Sequence, residues 1–381
     1  MSNKLLQIEN EQELESKVID FLRLPLMIGV VIIHCRFTTI LQPQLLDYVN
    51  VGGGGYFYIS WLISKVLCGL CVPTFFFISG YLFFKKGPFD LGSYIHKLKK
   101  RFFTILIPFI CWNVIYILIF VFIGYNIRFC DDGTPMGIVP WLNGNTGNVI
   151  SNLYHWVVGV FINFNSSGSP ADVPFWYLRD LICMFILTPV IYWFVKYFKK
   201  YGLIIIVLAW VLSGGHKTLY FIFLRPAVLF FVMGSFFAVN KVNLISFCNK
   251  IGNYIYWIYC FFAITDLLTN QCAFNSYIHK ATLFLGVVVA FKIVTCIVKK
   301  RNYPTKKVLL YVKDTNFFIF AFHWILLYWL AFPLSKIYNG TDLSLIVIYF
   351  LEIILCCFIA ISIGVLLNKV FPQTMRFLCG R

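Results

Sequence analysis

Long apolar runs, each about as long as a bilayer is thick when coiled into a helix and each closed by polar punctuation, leave this 381-residue chain little choice of fold. A membrane-crossing α-helix needs about 20 mostly apolar residues. Ten such runs are read at 18–36, 56–84, 102–125, 173–195, 203–220, 222–239, 251–269, 276–298, 315–332 and 343–368. Hydrophobic residues make up 60% of the chain, charged residues 12%, and mean hydropathy is +0.81. Soluble proteins run at roughly 45–50% and about 25%, so a water-soluble fold has too little polar surface to cover this one. The expected fold class is all-α: a polytopic membrane helix bundle of about ten transmembrane helices. Residues 18–370 form the transmembrane domain, with a polar tail at 1–17 and a second tail at 371–381.

The formal charge of +17 resembles a nucleic-acid footprint until the basic residues are placed. They lie between the apolar runs and alternate in density. One set of connections holds Lys85, Lys86, Lys97, Lys99, Lys100 and Arg101, then Lys196, Lys199 and Lys200, then Lys241 and Lys250, then Lys299, Lys300, Arg301, Lys306, Lys307 and Lys313. The other holds little beyond Arg128, Lys217, Lys280 and Lys336. Basic loops face the cytoplasm, which puts both termini there and requires an even number of crossings. The apolar stretch 149–164 is too short to span and reads as interfacial or re-entrant; a crossing there would move every later loop to the other side. The acidic, polar residues 1–17 and the lack of a small-residue cleavage pattern after the first run mark that run as an anchor. No nucleic acid partner is expected.

Of thirteen cysteines, most sit inside the runs as small hydrophobes. Cys68 and Cys71 form half of a metal or redox motif, but no second pair stands at ligand spacing, and no metal is expected.

An ionisable side chain at membrane depth costs roughly 2.5–3.5 kcal/mol even on forgiving scales, so each is a functional candidate. The first run carries Asp20, Arg23, His34 and Arg36. Arg23 and His34 are eleven residues apart, about 16 Å along a helix with only about 20° of rotation, and share a face at two depths. A guanidinium suits phosphate; a neutral imidazole suits general-base work on a hydroxyl near neutral pH. Arg23 paired with Asp20, or snorkelling to the interface, and His34 as a packing histidine are the alternatives that spacing leaves open.

Several ordered segments resemble the acyltransferase-3 family of integral-membrane acyltransferases. Arg23 and His34, with ten residues between them, resemble its first-span signature. Phe75-Phe76-Phe77-Ile78-Ser79-Gly80-Tyr81-Leu82-Phe83 resembles its aromatic Ser-Gly segment, and Lys97-Leu98-Lys99-Lys100-Arg101-Phe102-Phe103, followed by Pro108, its basic entry to the third span. Phe175-Trp176-Tyr177-Leu178 and Ala321-Phe322-His323 resemble its fourth-span entry and late histidine region. The resemblance implies an enzyme of the plasma (inner) membrane that takes an acyl group, usually acetyl, from cytoplasmic acetyl-CoA and delivers it to a hydroxyl of an envelope carbohydrate or lipid-linked glycan. In that case His34 acts as base or transient acyl carrier. Arg23, Lys97, Lys99, Lys100 and Arg101 are candidates for the CoA phosphates. Trp176, Arg179, Asp180, Arg225 and His323 are candidates for the acceptor. Asp266 and Glu352 are further charges at membrane depth. A transporter or flippase for an envelope glycan or lipid is the alternative class; the crowding of polar residues into the first run favours an enzyme.

Overall fold

The computed structural model describes residues 2–35, 54–122, 170, 172–212, 226–300 and 314–381, and these are helical with short connections. Helix α1 is Ser2–His34. Helix α2, Gly55–Ser60, passes through a π turn at Trp61–Leu67 to α3, Cys71–Lys85. Helix α4, Leu91–Arg101, runs through a second π turn at Phe102–Leu106 into α5, Ile107–Phe122. A 3₁₀ turn at Val173–Phe175 opens α6, Trp176–Ile186, followed by α7, Thr188–Leu212. Then come α8, Pro226–Val239, α9, Leu244–Lys250, α10, Tyr254–Leu268, and α11, Asn275–Lys300. The chain ends with α12, Asn316–Ser335, α13, Asp342–Val370, and α14, Pro372–Leu378.

Among the described residues, four helical stretches are long and apolar enough to cross a membrane, and up to six if each of two bent pairs is one span. The ten-run reading also counts α1, which carries Lys17, Asp20 and Arg23 in its last 18 residues, and the shorter apolar helices Tyr254–Leu268 and Asn316–Ala331. Parts of the runs 203–220 and 222–239, and the segment 149–164, lie outside the described residues. Element ends follow local chemistry. Helix α7 is interrupted at Lys199, at φ 45° and ψ −133°, within the Lys196 to Lys200 cluster. Asn243 and Thr341 cap α9 and α13 by accepting from the Ser246 and Ser344 amides at 2.8 and 3.2 Å. The polar residues from Ser2 onward are helical within α1, and the basic stretch Lys97 to Arg101 lies on helix α4 ahead of the third apolar run.

The chain divides into two compact units. The first comprises Met1–Ile33, Trp61–Lys97 and Met184–Asn316, and the second His34–Ser60, Leu98–Cys183 and Phe317–Arg381. The first is built on α3 packed against α8 with backbones in near contact. A Cβ on Gly80 would run into the carbonyl of Phe231, and a Cβ on Gly234 into that of Phe77. Small residues at such crossings let helices approach closely where lipid offers no hydrophobic drive. Phe77 meets Phe237 edge-on and Phe291 at a tilt beside this crossing. Buried Glu15 accepts from the Tyr81 hydroxyl and pairs with Lys85 at 2.6 Å, tying α1 to α3. At other helix ends Lys280 reaches the Trp210 carbonyl at 2.7 Å, and buried Asp266 holds His279 at 2.8 Å and Asn275 at 3.0 Å.

The second unit has an aromatic core in which Phe175 lies between Phe109 and Phe320 at 5.8 and 5.3 Å. The Asp342 carboxylate caps the start of α2 by accepting from the Tyr56 amide at 3.1 Å, and Trp112 donates to the Leu378 carbonyl at 3.0 Å. Residues 371–381 are therefore packed against α5 through α14. Gly80→Leu and Gly234→Leu are expected to destabilise the fold by more than the about 1–3 kcal/mol typical of overpacking, because the obstacle is backbone. Thermal unfolding in detergent, compared with Gly92→Leu on the exposed first turn of α4, where an added Cβ meets only the Asp90 carboxylate at 3.4 Å, checks this.

Candidate active site

Helix α1 ends at His34, with Ile32 in the same turn giving its carbonyl to the Ser64 hydroxyl at 2.9 Å. His34 is half-buried and opens the second unit. Within that unit its ring meets two consecutive residues of α12. The His323 ring lies 5.4 Å away, tilted by 45°, and the Trp324 ring 5.3 Å away, nearly edge-on at 76°. The helix supplies both because Phe318, Ile319, Phe320 and Ala321 bury the previous turn.

His323 is fully buried. Its Nδ1 lies 2.6 Å from the Phe320 carbonyl and 3.2 Å from that of Ile319. Carbonyl oxygens only accept, so Nδ1 carries the proton and Nε2 of the neutral ring presents a lone pair. That Nε2, and the neighbouring Trp324 indole N–H, are buried without a hydrogen-bond partner among the described residues. The Cys356 thiol contacts the His323 backbone carbonyl at 3.8 Å, and Glu352, fully buried, lies one turn earlier on α13. The arrangement sets the His34 imidazole beside one buried acceptor and one buried donor that have no partner among the described residues.

The other candidates fall as follows. Arg23 belongs to the first unit and pairs with Asp20 at 3.2 Å, both side chains being more than one-third exposed. Lys97 donates to the carbonyls of Phe83 at 2.9 Å and Lys86 at 3.3 Å; Lys99 and Lys100 are exposed and Arg101 is half-buried. Arg179 and Asp180 are buried against each other, with Nε to Oδ1 at 3.0 Å, while Trp176 is half-buried one turn earlier. Arg225 lies outside the described residues.

Sequence reasoning missed Trp324 and Asp172. Trp324 directly follows the His323 segment, and two polar-tipped rings in succession inside an apolar helix are the signal that points to it. Asp172 is fully buried beside the aromatic entry to α6; its amide donates to Asn113 Oδ1 at 3.0 Å, and its carboxyl oxygens have no partner among the described residues. Burial pushes that carboxyl well above the usual range.

The profile of the acyltransferase-3 family, described as an acyltransferase domain, matches residues 17–369. The chain is 26% identical over 230 residues to the succinoglycan biosynthesis protein ExoH of Rhizobium meliloti (strain 1021), covering 59% of this chain and 55% of that protein. The chain thus spans only about half the length of that relative. No solved structure matches. Because the family profile runs from the middle of α1 to the end of α13 and takes in His34, His323 and every helix between them, this chain belongs to the acyltransferase-3 family.

Proposed function

We propose that the protein is a multi-pass enzyme of the plasma (inner) membrane that moves an acyl group, acetyl, from cytoplasmic acyl-CoA to a hydroxyl of a cell-envelope carbohydrate or lipid-linked glycan. The observation that carries this is the half-buried His34 at the end of α1, beside His323 and Trp324, in a chain of the acyltransferase-3 family. The relative named for succinoglycan biosynthesis favours a glycan acceptor.

A ring nitrogen of His34 takes the acceptor hydroxyl's proton as its oxygen attacks the thioester carbonyl. The carbon–sulfur bond breaks, and the proton passes to the departing thiolate. Carbonyls of the last turn of α1 favour positive charge nearby, which suits a ring that holds a proton between these events. In the acyl-carrier variant the same ring attacks first and the hydroxyl second. Arg23 is assigned to phosphate, since a guanidinium has five donors and the Asp20 pair leaves others to a ligand. Lys99, Lys100 and Arg101 are assigned the same role; Lys97 ties this basic helix to the end of α3 through the Phe83 and Lys86 carbonyls.

Support for an even number of crossings comes from contacts within each unit. Tyr56 and Asp342 are both placed outside by charge asymmetry, and they meet. Glu11 and Asn243, both placed inside, meet at 2.5 Å. A single crossing at 149–164 would separate both pairs.

Three outcomes are expected. His34→Ala, in cells given labelled acetate, lowers acetyl incorporation into envelope glycan by about 10²–10⁴-fold, the worth of a general base, at unchanged protein level; wild-type incorporation would sink the mechanism. Arg23→Ala raises KM for acetyl-CoA by about 10-fold or more, as for one charge-assisted bond of about 1.5–3 kcal/mol, and changes kcat less. Alkaline phosphatase inserted at Gly340 is active, and at Gly87 or after Arg381 inactive; the reverse pattern would overturn the orientation.

A further inference from the structure

We infer that His323 is a positioning residue for His34, its Nε2 accepting a hydrogen bond from a ring N–H of His34 and thereby fixing which His34 nitrogen is left as the base. The assignment rests on the acyl-transfer role of His34 proposed above. Three observations meet here. The Phe320 and Ile319 carbonyls hold the proton of His323 on Nδ1, so its Nε2 can only accept. That Nε2 is buried and unpartnered among the described residues, a state that is costly when it is left unrelieved. The nearest ring is the half-buried His34, whose 5.4 Å centroid separation closes to about 3 Å, hydrogen-bond length, when two nitrogens turn to face each other. Full burial of His323 keeps its lone pair from the acceptor sugar, whereas His34 is within reach of both.

The consequence is chemical. An isolated neutral imidazole divides its proton between two nitrogens; a fixed acceptor on one side leaves the other as a lone pair aimed away from His323. When His34 takes up a proton, the same bond becomes charge-assisted and stronger. The Cys356 thiol on α13 meets the His323 backbone carbonyl and does not compete for Nδ1, which the Phe320 and Ile319 carbonyls already hold.

The test separates donor from acceptor by substitution. An asparagine keeps a donor for the i−3 or i−4 carbonyl, as Asn113 does in this protein toward Phe109 at 2.8 Å, but offers no lone pair at the Nε2 position. A glutamine places its carbonyl oxygen there. Full-length protein in detergent, labelled with ¹⁵N-histidine, carries six imidazoles, and His34→Ala identifies the His34 signals. His34 is expected to show one neutral tautomer in the wild type and in His323→Gln, and a mixture in His323→Asn. Acetyl transfer, followed with labelled acetyl-CoA and, as acceptor, membranes of cells lacking the protein, is expected to fall at least about 10-fold in kcat for His323→Asn, with KM for acetyl-CoA within about twofold and partial recovery in His323→Gln. Unchanged His34 signals in His323→Asn would overturn the pairing, even if that variant lost activity through misfolding. Full activity in His34→Ala would remove the acyl-transfer reading instead, and leave the tautomer result to stand or fall alone.

Discussion

The hydrocarbon core offers no water to a stray donor or acceptor, and much of what joins the helices of this protein is the settlement of that debt. A helix leaves its last four carbonyls without intrahelical partners, and here several are met by ammonium groups from other segments. Lys280 closes the end of α7 through Trp210, Lys292 the end of α9 through Ile251, and Lys97 the end of α3 through Phe83 and Lys86. Each contact pairs a cation with the negative end of a helix dipole. The lysines thereby shed most of the penalty of burial, and helices that lipid would not drive together acquire fixed neighbours.

Against that background the orphaned atoms stand out. His323 Nε2 and Trp324 Nε1 sit on adjacent residues whose rings both meet that of His34, and they lack partners among the described residues. A protein that elsewhere spends a lysine to satisfy one carbonyl holds open a donor and an acceptor at the end of its first helix. A buried donor or acceptor left without a partner costs stability.

The helical, membrane-embedded class and most helix positions were legible because a run of about 20 apolar residues has few other uses in a chain this poor in charge. The histidine at the end of the first run was legible as a candidate for the same reason: its cost at that depth is visible in one dimension. Its partner was not, since His323 and Trp324 reach His34 only through tertiary packing. The Ser79-Gly80-Tyr81 segment was noticed, but its meaning needed coordinates. Gly80 admits the Phe231 carbonyl and Tyr81 anchors Glu15. The extension of α1 through the polar tail was hidden because Glu11 and Glu15 read as solvated charges, and only their bonds to Asn243, Tyr81 and Lys85 give them a structural purpose.

The contact between Asp342 and the Tyr56 amide has a bearing on biogenesis as well as on stability. Loop charge biases insertion one helix at a time and carries no knowledge of later helices. A chain threaded with one crossing too few between these residues would leave the carboxylate and the amide on opposite faces of the membrane, each without its partner. The cap can form only in a correctly threaded molecule, so it acts as a parity check on the whole length between them, performed once, at the end of synthesis, by a single hydrogen-bonded turn.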